Sequence, residues 1–268
     1  MSSGSERYTH GHHDSVLRSH RWRTAANSAA YLRADLRPGM ELLDVGCGPG
    51  TLTADLARLV APGRAVGVDA SADVVAVAAK LAVDPSVHLA FDTGDVYGLA
   101  FPAGSFDVVH AHQVLQHLAD PVAALTEMRR VCRPGGIVAA RDGDYEAMTW
   151  APADPWLDRW LATYRSMARR NGGEPDAGRY LLGWARQAGF PVVEPSASVW
   201  CFATPADRAW WGGLWAERVE ESSFAAQAVA EALASADDLA AMAAAWRRWA
   251  EEPSGWFAVL HGEIRCRG

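Results

Sequence analysis

The sequence predicts an α/β protein built on a largely parallel sheet. Between Arg37 and about Asp142, short apolar segments alternate with amphipathic segments of helical periodicity, a pattern typical of parallel α/β sheets. A glycine-rich turn, Gly46–Gly50, follows the first apolar segment directly. The length of 268 residues fits one large domain, or one domain with a cap.

Each element of the first half has its own signal. Short apolar runs predict strands at 40–46, 65–69, 87–90, 106–110 and 136–140. Apolar residues at steps of three and four, such as Leu52, Leu56 and Leu59, predict the helices between them. Asp120 before Pro121 is typical of a helix start, and Arg133–Gly136 is expected to end that helix.

The chain changes character near Trp150, because eleven of the twelve tryptophans lie at or beyond this position. Helical insertions are predicted at about 150–175 and 205–252, with a helix at 180–189 and strands at 192–202 and 256–265. So many tryptophans exceed the packing needs of two small insertions. We therefore expect an aromatic lid over an apolar ligand.

Charge and composition weigh against several classes of protein. Half of the residues are apolar and 21% are charged, as in soluble globular proteins. The formal charge of −7 argues against nucleic acid as a partner, although the first 39 residues are basic. No apolar run reaches the roughly 18 residues of a membrane span, and the N-terminus lacks a signal-peptide core. We expect a cytoplasmic protein without a membrane partner, and a homodimer is left open.

Histidines and cysteines do not predict a metal site. The four cysteines lie far apart and form no CxxC pair, so they are expected to be reduced thiols. Four histidines near the N-terminus lack an accompanying cysteine or acidic cluster at ligand spacing: His10, His12, His13 and His20. A segment that covers the ligand is the preferred interpretation.

The strongest motif is Asp44-Val-Gly-Cys-Gly-Pro-Gly50, which lies between a strand and a helix. Glycines allow a tight turn and a close approach to a ligand, and the helix start offers unpaired N–H groups. The spacing is not the GxGxxG of a dinucleotide site. Asp44 suits a cationic ligand better than a pyrophosphate, which it would repel.

Two further carboxylates specify the ligand. Asp69 ends the second strand, where a carboxylate can accept hydrogen bonds from both hydroxyls of a ribose. Asp95 follows the third strand and can accept from an adenine amino group. A ligand with adenine, ribose and a positive charge, and without phosphate, is S-adenosylmethionine (SAM).

Residues 37–142 resemble a class I SAM-dependent methyltransferase of the ubiquinone and menaquinone biosynthesis group, methyltransferase type 11. The resemblance is carried by Leu43–Gly50, Gly67–Asp69, Gly94–Asp95, Phe106–Val109, Val114–His117, Asp120–Pro121 and Arg133–Gly136. It implies a Rossmann-like, seven-stranded, mostly parallel sheet with SAM over the carboxyl ends of its strands. The expected cofactor-binding residues are Asp44, Gly46, Cys47, Gly48, Gly50, Asp69, Ala70, Asp95, Val96, His112 and Gln113.

The N-terminal segment has a resemblance of its own. Tyr8–Asp14 and Arg18–Thr24 are similar to a subgroup from actinobacteria and filamentous fungi, which includes fungal dithiol S-methyltransferases of secondary metabolism. We therefore expect residues 1–36 to form a helical segment that covers the cofactor, followed by the methyltransferase domain at 37–268. The resemblance also raises a thiol as the methyl acceptor.

Three residues beyond strand ends are candidates for catalysis. His112 and His117 follow the fourth strand, at the edge where open α/β sheets bind ligands, and a histidine can act as a general base. His117 has the alternative role of ordering the loop before Asp120. Tyr145 follows the fifth strand, where it either binds substrate or caps a helix.

These observations predict an enzyme that transfers the SAM methyl group in line to a small, largely apolar acceptor. A secondary metabolite or quinone-like molecule, methylated on O, C or S, would fit beneath the lid. Alignment and exclusion of water would supply most of the catalysis. The alternative is a SAM-binding scaffold or regulator without transfer, and a nicotinamide-dependent oxidoreductase is disfavoured by the missing fingerprint.

Overall fold

Eight strands form one sheet in a computed structural model that describes the backbone of residues 14–268 and the side chains from residue 18 onward. The strands are β1 (Leu42–Val45), β2 (Arg64–Asp69), β3 (His88–Thr93), β4 (Phe106–His112), β5 (Cys132–Gly143), β6 (Thr149–Ala151), β7 (Val192–Phe202) and β8 (Trp256–Arg267). Their order is β3-β2-β1-β4-β5-β8-β6, and β7 pairs with β8.

Helices cover both faces of this sheet and extend beyond it. In the described part of the chain they are α1 (Asp14–Arg21), α2 (Ala25–Ser28), α3 (Ala30–Arg33), α4 (Thr51–Val60), α5 (Ala72–Ala78), α6 (Pro121–Val131), α7 (Pro155–Arg170), α8 (Leu181–Gln187), α9 (Pro205–Glu221), α10 (Ser223–Ala230) and α11 (Ala236–Glu251). Short 3₁₀ turns lie at Leu115–His117, Tyr145–Ala147 and Ala177–Arg179.

Strands β1, β2 and β4 of the parallel half are largely buried on both faces, which explains their nearly continuous apolar residues, whereas the edge strand β3 is mostly exposed. Successive residues of a strand enter different cores, so Leu43 and Val45 pack with one helical layer and Leu42 with the other. Asp44 pairs with His110 in the neighbouring strand. By the same alternation, both of these polar side chains lie on the sheet face that α2, α3 and α4 cover.

The C-terminal strand β8 is antiparallel to β5, β6 and β7. Its pairing with β5 sets His261 opposite Gly143, at the carboxyl end of β5. Strand β8 therefore places His261 at the edge of the sheet where the parallel strands end.

Helices α7, α9, α10 and α11 pack around a second, aromatic core. Trp160 lies at its centre, with ring centroids 4.5 Å from Trp215 and 4.8 Å from Trp246. Ser222 ends α9 and caps α10, and Ser235 caps α11 with a reciprocal bond to Asp238. These caps satisfy N–H groups at helix starts and divide the predicted 205–252 stretch into three helices.

The predicted α/β class and its mostly parallel sheet are confirmed. All seven predicted strands are present, and the sheet has one strand more, the three-residue β6. None of the helices in the described residues is long and apolar enough to cross a membrane.

Candidate active site

A cavity of about 370 Å³ opens at the carboxyl ends of β1, β2 and β4. We call it the main cavity. Its walls come from the β1–α4 turn, the end of β2, the loops after β3 and β4, and the N-terminal residues His20 and Arg23. Ligands of open α/β sheets bind at this edge.

The three glycines of the β1–α4 turn serve different purposes. A Cβ atom on Gly46 would lie 2.3 Å from Val114, and one on Gly50 would lie 2.5 Å from Phe91, so both positions are required by packing. Gly48 has a left-handed φ of +56°, and its hypothetical Cβ would meet only the His20 ring, at 3.5 Å. Gly48 therefore gives the main cavity an open backbone surface.

Asp44 lies buried on the cavity floor with both oxygens engaged. The Thr53 hydroxyl donates to Oδ2 at 2.6 Å, and Nδ1 of His110 lies 2.7 Å from Oδ1. Because a carboxylate only accepts, the proton of this second bond lies on Nδ1. These bonds fix a negative charge beneath the glycine turn. Burial raises the pKa of the neighbouring Cys47 thiol, and the negative charge of Asp44 raises it further.

Asp69 joins the glycine turn to the start of α5. Its Oδ2 accepts from the Gly48 N–H and its Oδ1 from the Ser71 N–H, both at 3.0 Å. Each carboxylate oxygen can accept further hydrogen bonds. Asp69 can therefore accept further hydrogen bonds from a ligand in the main cavity. Asp95, which follows β3, lines the same cavity.

At the end of β4, two histidines line the main cavity: His112 is the last residue of β4, and His117 lies in the 3₁₀ turn that follows. His112 is 4% exposed, and neither ring nitrogen has a hydrogen-bond partner among the described residues. Burial, aided by the charges of Arg23 and Arg141, lowers its pKa well below the usual range. His117 opens onto the cavity from a deep position, where desolvation and Arg23 lower its pKa to about 3. Both rings are neutral at physiological pH.

Gln113 lies at the centre of a directed hydrogen-bond chain. Arg23 donates to its Oε1, so its Nε2 is the donor that meets Nε2 of His261 at 2.9 Å. Nδ1 of His261 then carries the ring proton and donates to the Val259 carbonyl at 3.1 Å. This chain connects the N-terminal segment to β8 through the loop after β4.

A second, smaller space adjoins the main cavity, and we call it the tryptophan pocket. Its volume is about 30 Å³, and its described lining is Ser19, His20, Trp22, Arg23, Gln113, Tyr145, Met148, Trp200, Trp210, Trp211, Trp215, Arg218 and Val259. Three described residues line both spaces: His20, Arg23 and Gln113. These three residues mark the junction of the two spaces.

The structure gathers most of the predicted site residues. Of the predicted cofactor-binding residues, all but Gly50 line the main cavity, as do His112 and His117. Tyr145 instead lines the tryptophan pocket, where it stacks on Tyr164 at 4.3 Å and burial raises its pKa. Gly50 packs against Phe91 at the start of α4.

Sequence reasoning missed Arg23, Arg218 and His261. Arg23 and Gln113 are 90 residues apart, and Gln113 and His261 are 148 apart. A signal for Arg23 existed in the N-terminal resemblance, but no local pattern marks His261 or Arg218.

Histidines, cysteines and carboxylates form no group of three or more suited to a metal ion within the described residues. His20 lines the main cavity. His10, His12 and His13 lie outside the described residues.

A mostly parallel sheet with a glycine turn and three carboxylates around one cavity is typical of Rossmann-like methyltransferases. The comparisons agree, since residues 43–140 match the family model described as a methyltransferase domain. An uncharacterized methyltransferase of Schizosaccharomyces pombe is 35% identical over 269 residues, covering 96% of this chain and 95% of its own. The chain belongs to the SAM-dependent methyltransferase family, and SAM is its cofactor.

Two further proteins illustrate the breadth of the similarity. The ubiquinone biosynthesis O-methyltransferase of Cereibacter sphaeroides is 34% identical over 126 residues, or 46% of this chain and 50% of its own. The phosphoethanolamine N-methyltransferase 2 of Haemonchus contortus, solved with SAM, superposes with a TM-score of 0.55 at 17% identity. It covers 95% of this chain and 57% of its own. The resemblance to the ubiquinone and menaquinone group is thereby confirmed.

The residues of the main cavity fit this cofactor. Gly48 leaves an open backbone surface, Asp69 retains acceptor capacity for hydroxyls, and the buried Asp44 supplies negative charge for a cationic ligand.

Proposed function

We propose that this methyltransferase acts on a small, largely apolar acceptor that is held between the main cavity and the tryptophan-bearing helices. The observation that carries the proposal is the junction of two unlike spaces. One is walled by carboxylates and a glycine turn, and the other has five tryptophans and a tyrosine among its thirteen described lining residues. Aromatic walls favour flat, apolar ligands.

Cofactor binding is assigned to the first half of the chain. Asp69 would accept from both ribose hydroxyls, Asp95 and Val96 would flank the adenine, and the turn at 46–50 would lie under the methionine portion. Placement of these residues around one cavity supports the assignment. Bound there, SAM supplies a methyl group activated by its sulfonium charge.

Acceptor selection is assigned to the helical insertions at about 150–175 and 205–252, together with the N-terminal segment. The tryptophan pocket has room for only about one or two water molecules. A larger acceptor requires its partly exposed walls, Trp22 and Trp210, to move. Closure of these rings over the acceptor would then align it and exclude water.

Two neutral side chains are candidates to assist the acceptor, His112 and Tyr145. His112 offers ring nitrogens without partners among the described residues, so it is the stronger general-base candidate of the two histidines. Tyr145 is a neutral phenol in the tryptophan pocket and can orient an acceptor by hydrogen bonding.

Fractionated cell extract tests the class of acceptor. Protein and SAM are incubated with either the low-mass fraction or the macromolecular fraction, and S-adenosylhomocysteine (SAH) is measured. We expect SAH to form with the low-mass fraction. SAH formed only with the macromolecular fraction would contradict a small acceptor, and SAH formed with neither would favour a binding protein without transfer. The Asp69→Ala variant is the matched control for background turnover.

A further inference from the structure

Gln113 lies at the junction in a backbone conformation that side chains disfavour. Its φ is +54°, and the residue lines both the main cavity and the tryptophan pocket. One other non-glycine residue of the described chain has a positive φ, Ala232, and it follows α10, where helix ends commonly take this conformation. Gln113 instead follows strand β4 directly. Strain of this kind persists only where surrounding contacts hold it, and it clusters at functional sites.

Contacts from three directions hold Gln113 in place. Its backbone N–H donates to the Arg141 carbonyl of β5 at 2.7 Å. Arg23 donates to its side-chain Oε1, and its Nε2 donates to Nε2 of His261 at 2.9 Å. An arginine side chain can only donate, so the bond from Arg23 already requires the oxygen of the amide on its side.

His261 imposes the same orientation from the opposite side. Its Nδ1 lies 3.1 Å from the Val259 carbonyl, so Nδ1 carries the ring proton and Nε2 is left as an acceptor. The ring is fully buried, and burial together with the charge of Arg141 lowers its pKa well below the usual range, so it stays neutral. An edge contact with Trp200, at 4.3 Å between centroids, holds the ring in place.

His261 belongs to neither described lining, that of the main cavity or that of the tryptophan pocket. Its effect on a ligand must therefore pass through Gln113. A glutamine amide has two N–H donors and two acceptor lone pairs, and the chain from Arg23 to His261 uses one of each. The amide thus has one donor and one acceptor position left, in an orientation that is fixed at both ends.

We infer that His261 is a positioning residue for methyl transfer: it fixes the amide of Gln113, and Gln113 holds the cofactor and the acceptor in alignment at the junction. The inference rests on the proposed function, which places the two ligands on either side of Gln113. Alignment of two reactants supplies much of the rate of such a reaction. Cofactor binding draws on other contacts as well, so a displaced amide should reduce turnover more than SAH affinity.

NMR spectroscopy tests the positioning without any acceptor. The side-chain amide signals of Gln113 are assigned in isotope-labelled protein by their loss in Gln113→Asn, and the ring nitrogen shifts of His261 report its tautomer. We expect one pair of amide signals, which shifts when SAH is added, and a His261 ring protonated at Nδ1. His261→Phe keeps the aromatic contact with Trp200 and removes the acceptor, so the amide signals should move. His261→Gln offers a carbonyl oxygen in its place and should restore them.

Turnover of SAM with the low-mass fraction of cell extract tests the consequence for the reaction. In His261→Phe we expect kcat to fall at least about tenfold, while the SAH Kd from calorimetry changes by no more than about threefold. His261→Gln should recover most of the lost turnover. His88→Phe, at an exposed site on β3, is the matched control and should behave as wild type. Thermal melting verifies the folding of each variant.

A double-mutant cycle separates positioning from a merely structural role. Gln113→Asn tolerates the left-handed backbone, but its side chain is shorter and should not reach both partners, so it should lose turnover as His261→Phe does. If His261 acts through Gln113, the double variant should lose no more turnover than the single variants. Gln187→Asn, at an exposed site of α8, is the control for the shorter amide.

Several results would overturn the inference. Additive losses in the double variant would show that His261 acts independently of Gln113, and wild-type turnover in a folded His261→Phe would show that it does not act at all. Equal losses of turnover and SAH affinity would assign the pair to cofactor binding alone. A wild-type protein without turnover in the low-mass fraction contradicts the proposed function instead. The NMR signals then decide the positioning by themselves, because Gln113 amide signals that are insensitive to His261→Phe would contradict it.

Discussion

At the scale of single residues, the site depends on side chains that have both a structural and a ligand-facing role. Asp69 accepts two backbone N–H groups, one from the glycine turn and one from the start of α5. These two bonds hold the glycine turn and the start of α5 together. The remaining lone pairs of Asp69 can still accept hydrogen bonds from a ligand. Asp44 is locked by Thr53 and His110 in the same manner.

Replacing Asp69 by alanine should weaken SAH binding by about 2–4 kcal/mol, because two charge-assisted hydrogen bonds to the ribose would be lost. Isothermal titration calorimetry measures this directly. Asp73→Ala, an exposed carboxylate in the first turn of the neighbouring α5, is the control and should bind SAH normally. A folded Asp69→Ala protein with wild-type affinity would show that the ribose lies elsewhere.

Asp142 should make stability depend on pH. Its carboxyl group is buried, Oδ2 lacks a partner among the described residues, and burial raises its pKa to about 7. In the unfolded chain the pKa is about 4. Between these values the folded protein binds more protons, so its free energy of unfolding falls as pH rises from about 4 to about 7.

The Asp142→Asn variant removes this dependence. We expect the Tm of the variant minus that of the wild type to increase across the same pH window. The lowered pKa values of His112, His117 and His261 act in the opposite direction, but they are common to both proteins and cancel in the difference. A Tm difference independent of pH would contradict a buried, protonated Asp142.

At the scale of elements, local sequence predicted the parallel strands well, because most of them are apolar runs bounded by turn residues. It did not predict β6, since the three residues of Thr149–Ala151 form no pattern and are extended only through pairing with β8. The single helical stretch at 205–252 is interrupted by serine caps whose signal is short. The features that sequence reasoning missed are therefore a short strand defined by a distant partner and helix ends defined by single residues.

The glycine turn offers a paired test of cofactor binding. Gly48→Ala and Gly39→Ala both place a side chain at positive φ, and each should cost about 1–2 kcal/mol of stability. Only the Gly48 methyl would enter the main cavity, because Gly48 lines it and Gly39 does not. SAH affinity should therefore fall at least about tenfold in Gly48→Ala alone. Equal SAH affinity in both variants would place the ligand away from this turn.

The tryptophans divide into two groups by burial and position. Trp210 is partly exposed and lines the tryptophan pocket, whereas Trp246 is fully buried and lines neither space. Trp210→Ala should raise the acceptor KM or lower kcat, with SAH affinity and Tm nearly unchanged. Trp246→Ala should cost about 3–5 kcal/mol of stability. Steady-state kinetics with the acceptor from the extract experiment, together with thermal melting, separates the two effects. Unaltered kinetics in Trp210→Ala would show that this ring contributes to packing and not to acceptor binding.

At the scale of the whole molecule, the chain has an α/β half whose glycine turn and carboxylates line the main cavity, and an aromatic half that supplies most walls of the tryptophan pocket. The sequence indicated this division, since the motif residues lie before residue 142 and eleven of the twelve tryptophans lie after it. It could not predict the junction, because Arg23, Gln113 and His261 meet only after the sheet has formed. The junction of the two spaces therefore became visible only in three dimensions.

Calorimetric titration of the wild-type protein with SAM, SAH and NAD tests the central claim most directly. Three carboxylates around the main cavity favour a cationic ligand and repel a pyrophosphate. The account predicts saturable binding of SAM and SAH, and no binding of NAD. Saturable binding of NAD with no heat from SAM or SAH would contradict it.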